Sequence, residues 1–191
     1  MKFINGYTVD SDCEIEMKCH DRHFRDTVFL DDSGAEVFAL DCPGLLTSWS
    51  MRRLLRDAAG SQVLQVRHAS NTSLEQWAIE DAHGKQLCLA KGSKSPKDQA
   101  TTIEARVSAE SGADFTIDVR SADHAGTSTT FQKDGVTIAE MLLVTNNDLS
   151  FLDRRGLDRS GWKLKVKQGT DLALVAGLAV CRAEVLHAWR R

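Results

Sequence analysis

No stretch of this sequence is apolar for long enough to cross a membrane. A spanning helix needs roughly 20 apolar residues, whereas the run Leu172 to Cys181 meets Asp171 on one side and Arg182, Glu184 and Arg190 on the other. The start, MKFINGYTVDSDCEIEMK, has no apolar h-region and reaches acidic residues early, which argues against a secretory signal. The expected location is cytoplasmic, with the nucleus or a membrane periphery as alternatives. The five cysteines, Cys13, Cys19, Cys42, Cys88 and Cys181, form an odd set without paired short spacings and read as reduced thiols. In CEIEMKCHDRHF, Cys13, Cys19, His20 and His23 lie close together, but tetrahedral zinc needs four fixed ligands and the cysteine gap is irregular. No metal and no other cofactor is expected.

Strong net charge is also missing. A formal value of -3 on a chain that is 27% charged sets up no global field toward polynucleotide or anionic membrane, so such binding would need a local patch. Nucleic acid is the least favoured partner. There is no Gly-rich phosphate loop, no Gly-x-Ser-x-Gly elbow and no His-Glu-x-x-His helix. His20, His23, His68, His83, His124 and His187 are scattered. A cysteine–histidine pair assembled in space remains the enzymatic alternative, without support from spacing.

What is present is a repeated turn. Asp31 and Gly34, Asp57 and Gly60, Asp81 and Gly84, and Asp123 and Gly126 all read Asp-x-x-Gly, and Asp134–Gly135 is a tighter version. An aspartate at the first turn position accepts bonds from backbone amides ahead of it, and the glycine takes the positive φ that closes the turn. The flanks TVFLDDSGAEVFAL, MRRLLRDAAGSQVLQVRH and EQWAIEDAHGKQLCLA place β-favouring runs on both sides. In the second, Val63, Gln65 and Arg67 alternate with Leu64, Val66 and His68. Because polar TSTTFQ follows the Asp123 turn, that site reads as a loop. AKGSKSPKDQA reads as a surface loop, and NNDLSFLDRRGLDRSG as an irregular piece with one helical turn. WKLKVKQG alternates cleanly, with Trp162, Leu164 and Val166 on one face and Lys163, Lys165 and Lys167 on the other.

After that strand the chain turns helical, with Thr170 or Asp171 available as the cap. This helix is apolar on every side and so must be enclosed by protein. Many strands with one apolar face each, followed by one such helix, satisfy each other if the sheet curls into a closed barrel with the helix inside. The expected class is therefore α+β, mainly β, in a single domain over residues 1–191; 42% hydrophobic content suffices for its core. Gly34, Gly60, Gly84 and Gly135 serve the turns. Leu172, Val175, Gly177 and Val180 are structural helix positions, Gly177 as a packing notch among Ala173, Ala176 and Ala179.

Along its length the chain resembles the LURP-one-related family, which shares the tubby C-terminal-like barrel and also resembles the phospholipid scramblases. The residues that carry the likeness are LRDAAGSQVLQVRH, QWAIEDAHGKQL, KDGVTIAEM and GTDLALVAGLAVCRAEV, between about Asp26 and Val185. The resemblance implies a twelve-stranded antiparallel barrel around a central helix. It assigns no catalytic residue. Tubby-like relatives bind phosphoinositides through basic side chains on the barrel exterior, but no lipid-binding motif matches residue by residue. With only Pro43 and Pro96 in the chain, scramblase-like proline-rich segments are absent.

The candidate anion-binding residues are Arg52, Arg53 and Arg56 before one turn and Lys163, Lys165 and Lys167 on one strand face, with Lys91, Lys94 and Lys97 as a third group. Lysines on a wet strand face also simply keep it soluble and block edge pairing, and that plainer use weighs more unless the groups converge. Trp49, Trp77 and Trp162 read as packing residues and Trp189 as part of a tail. The expected function is a non-catalytic intracellular binding or scaffold protein, with anionic phospholipid headgroups or a protein as partner.

Overall fold

The structure is a computed structural model and describes residues 6–20, 24, 26–42, 51–69, 75–94, 101–108, 114–123, 125–146 and 160–188. Strands form wherever apolar side chains alternate: β1 Cys13–Cys19, β2 Thr27–Asp31, β3 Glu36–Asp41, β4 Arg53–Asp57, β5 Gln62–His68 and β6 Gln76–Asp81. They continue with β7 Gln86–Lys94, β8 Thr101–Val107, β9 Phe115–Ser121, β10 Ser128–Lys133, β11 Val136–Asn146 and β12 Ser160–Val166. Each strand pairs antiparallel with its sequence neighbours, and β1 pairs with β12, so the sheet closes into a twelve-stranded barrel. Closure leaves no unpaired edge.

The Asp-x-x-Gly turns behave as their chemistry requires. Asp31 Oδ1 accepts from Ser33 N at 2.8 Å and Ala35 N at 3.0 Å. Asp57 Oδ1 repeats this with Ala59 and Ser61, and Asp81 Oδ1 with His83 and Lys85. Gly34, Gly60 and Gly84 take φ near +80°, and a ladder shift beside each turn marks the bulge that accompanies such three-residue connections. These turns, with Asp134–Gly135, all sit on one rim.

Two segments differ from their sequence reading. TSTTFQ belongs to β10 from Ser128 on, joined to β9 through a real Asp123 turn in which Thr127 N and Ser128 N donate to the carboxylate. A strand needs only one apolar face, and here Thr129 and Phe131 point inward while the rest face water. Likewise the first part of AKGSKSPKDQA continues β7 to Lys94. Gly92 has a structural reason, since a Cβ there would stand 3.2 Å from Glu75 Cβ and 3.6 Å from the Trp77 ring. Residues 95–100 and 147–159 lie outside the described residues.

Helix α1, Leu172–Ala188, runs through the barrel from the hairpin rim to the opposite one. Asp171 is the cap, its Oδ1 accepting from Leu174 N at 3.0 Å. A short N-terminal strap holds this end: Leu172 N donates to Tyr7 O, Val9 N to Thr170 O, and the Tyr7 hydroxyl to Asp57 Oδ2 at 3.1 Å. Val175 and Val180 are fully enclosed and Leu172 is partly so. Gly177 is indeed a notch, because a Cβ would lie 3.2 Å from Ile79 Cδ1 and 3.7 Å from Leu64. No helix among the described residues is long and apolar enough to cross a membrane.

Candidate functional site

The proposed anion-binding residues do not come together. Strand alternation splits the first group: Leu55 and Arg53 face the interior, whereas Leu54 and Arg56 face outward. Arg52 is exposed, Arg56 is bonded to Asp41 at 2.9 Å and to Gly60 O, and Arg53 is 0% exposed. Lys163, Lys165 and Lys167 do share the outer face at β12, as their spacing requires. Their neighbours there are acidic. Lys163 bonds Glu14 and Lys167 bonds Asp12, both at 2.8 Å, while Lys165 lies in register between Glu14 and Glu140. These bonds raise the two lysines above, and lower Asp12 and Glu14 below, their usual ranges. Around the ring, β4 and β7 are three strands apart, β7 and β12 five, and β12 and β4 four, so Arg56, Lys91 and Lys165 look in three directions. The side chains of Lys94 and Lys97 lie outside the described residues.

The metal reading of the first strand also loses its geometry. Cys13 and Cys19 are the two ends of β1, roughly 20 Å apart at strand rise, too far for one ion. His23 lies outside the described residues, among which no group of three or more potential ligands gathers.

Charge converges instead inside the barrel, at the rim where α1 ends. Arg53 opens β4, His68 closes β5 and Trp77 is the second residue of β6, with His68 and Trp77 directly paired in register. All three point inward at Glu184, near the end of α1. Arg53 Nη1 and Nη2 donate to the two carboxylate oxygens at 3.0 Å each. Trp77 Nε1 donates to Oε2 at 2.9 Å, and His68 Nε2 lies 3.0 Å from Oε1. Nδ1 of His68 is buried without a partner among the described residues. A proton there would be a buried donor with no acceptor, so the ring donates from Nε2. On the wall across the barrel, Arg182 of α1 donates to Thr129 Oγ1 at 3.1 Å and to Ser121 Oγ. The helix is thus apolar through its middle and pinned by polar bonds to two walls at its end.

Burial alone would raise the Glu184 carboxyl, but Arg53 and the His68 bond outweigh it and bring the value from the ordinary 4.5 to about 2. Because the folded value is the depressed one, the stabilisation from this carboxylate is complete above pH 4.5 and is lost as pH falls through about 2. In urea unfolding, the advantage of wild type over Glu184→Gln is therefore expected to shrink steadily from pH 5 to pH 2. An advantage constant over that window would contradict the assignment.

Among the described residues no nucleophile is poised beside this carboxylate. Burial pushes the Cys88 thiol up to about 12 and Cys181 well above its usual value, so neither supplies a thiolate. His83 stands on a hairpin tip, exposed. His124, Trp49 and Trp189 lie outside the described residues, as does the side chain of His187. Trp77 and Trp162 are packed inside at 1% exposure.

The sequence did contain a signal for the internal cluster. Alternation puts His68 on the apolar face with Leu64 and Val66, and Arg53 on that of Leu55. A cation and an imidazole on inward faces require a buried acceptor, and Glu184 is the one acidic residue of the terminal helix.

Comparison with known proteins agrees with this architecture. The family model described as LURP-one-related matches residues 12–183. A protein of Arabidopsis thaliana solved by X-ray crystallography superposes with a TM-score of 0.58 at 16% identity, covering 97% of this chain and 95% of that one. That likeness concerns the fold. A search of curated protein sequences found no match.

Proposed function

We propose, from the premise that this chain belongs to the LURP-one-related family, that it is a non-catalytic intracellular binding or scaffold module that works through the outside of its barrel on a protein partner. The observation that carries this reading is the filled interior. Inward side chains of the strands and the whole middle of α1 form one apolar core, and the ionisable groups inside are bonded to each other, bonded to wall hydroxyls or held protonated. An enzyme needs a free base or nucleophile that reaches substrate, whereas Glu184 and His68 at this mouth are bonded to one another.

The outer wall carries the recognition in this reading. Leu142 and Val144 on β11 are 48% and 42% exposed, next to a ladder irregularity at Leu143/Thr145 and with Leu142 in register with Lys163 and Ser128, and Val136 at the start of the same strand is 66% exposed. Apolar side chains set in a polar surround are the usual anchors of a protein interface. The alternative partner, an anionic phospholipid headgroup, draws less support, because headgroup binding by Arg52, Arg56, Lys163, Lys165 and Lys167 needs convergent unpaired cations. Arg53 is removed from that set by its burial.

Proximity labelling in cells separates the two. The labelled set is expected to be lost with Leu142→Asp plus Val144→Asp and kept with Lys163→Ala, Lys165→Ala and Lys167→Ala combined, both variants retaining wild-type melting. The reverse pattern, joined to salt-sensitive co-sedimentation with phosphoinositide vesicles, would replace the protein reading with the lipid one.

A further inference from the structure

The Glu184 carboxylate is surrounded in the way a receptor surrounds a ligand. Arg53 grips it with both fork nitrogens, the geometry that gives guanidinium its selectivity for planar carboxylates. The Trp77 indole fills one further position and His68 another. These donors come from three successive strands, all but fully buried at 0%, 1% and 2% exposure, and their rings and fork are fixed by sheet register and by the tilted His68–Trp77 contact at 5.7 Å. The helix contributes nothing comparable. A carboxylate near a helix C-terminus faces the negative end of the macrodipole, so Glu184 is held there by the wall alone. The site also opens toward the rim: Glu184 keeps 17% of its side-chain surface, and Arg53, His68 and Trp77 all lie at strand ends.

We infer that the inner wall formed by Arg53, His68 and Trp77 is a carboxylate-recognition site for a small carboxylate, one of acetate size or an acidic side chain, and that Glu184 occupies it from within as a tethered plug. The inference is independent of the partner proposed for the outer wall. While Glu184 is seated the site is closed to any other carboxylate, and its three donors, all on strands, stay held by sheet register when the Glu184 side chain is removed.

Glu184→Ala in the full-length chain empties the site, and acetate against chloride at matched ionic strength is the probe. The expected result is a saturable rise in melting temperature with acetate and a saturable shift of the Trp77 indole N–H resonance, both absent in wild type, where the site is filled, and in Glu184→Gln, where an amide fills the space. Adding Arg53→Met to Glu184→Ala should abolish both responses. If Glu184→Ala does not fold in chloride, refolding yield in acetate against chloride reads the same property. No acetate-specific effect in either format, or an equal effect in wild type or Glu184→Gln, overturns the inference.

Discussion

Arg53→Met is expected to lower unfolding stability by about 3–5 kcal/mol, the range seen when one partner of a buried ion pair is removed. The loss comes less from the missing bonds than from what stays behind. Glu184 would remain an anion in an apolar enclosure with only an indole and an imidazole donor, at the helix end where negative charge is least welcome. Since total stability for a domain is about 5–15 kcal/mol, the variant would lose a large share of it. Arg53→Met combined with Glu184→Gln should recover part of it, because the amide oxygen in the Oε2 position still accepts from Trp77 and no unpaired charge is left. Chemical denaturation of the two variants beside wild type measures this directly. A single variant within 1 kcal/mol of wild type would show that the pair does not hold the helix end.

Val180→Asp should have the larger effect and yield no cooperatively folding barrel. Val180 is at 0% exposure, one turn before the polar pins and surrounded by strand side chains. The effective penalty for an unpaired buried carboxylate is several kcal/mol per ion, to which lost packing adds. Lys165→Ala, on the exterior of the neighbouring strand, is the contrasting control and should stay within about 0.5 kcal/mol of wild type. Far-UV circular dichroism and thermal melts decide between the outcomes. A soluble Val180→Asp protein with a wild-type transition would mean that the helix is not enclosed.

The fold was legible where local chemistry dictates it. An aspartate that can bond amides two and four residues ahead makes the same turn wherever it is followed by a glycine able to take positive φ, so the hairpins at Gly34, Gly60 and Gly84 could be read one by one. The apolar character of α1 on all sides required a surrounding sheet, which is why a barrel could be inferred without any pairing information. TSTTFQ and the start of AKGSKSPKDQA were misread because their strand character depends on a few inward residues, Thr129, Phe131, Ala90 and Gly92, whose neighbours are supplied by other segments. The same limit applied to the basic residues. Arg52, Arg53 and Arg56 look like one group along the chain, although a two-residue period sends Arg53 inward. The partners of Lys163 and Lys167 come from the other end of the sequence, through a strand pairing that only closure creates.

That closure constrains the order of assembly during synthesis. The first strand waits for the twelfth, and the helix that fills the ring leaves the ribosome after both. A completed ring would admit no helix, and an unfilled ring has nothing to wrap around, so the final seam and the filling of the interior belong to one late event. Until then the growing sheet carries two open edges and a bare apolar face. The many contacts between residues far apart in the sequence, with the seam joining residues near 13 to residues near 166, make this a slow folder by topology, and one that depends on holding its partial sheet apart from neighbouring chains while the last segment is made.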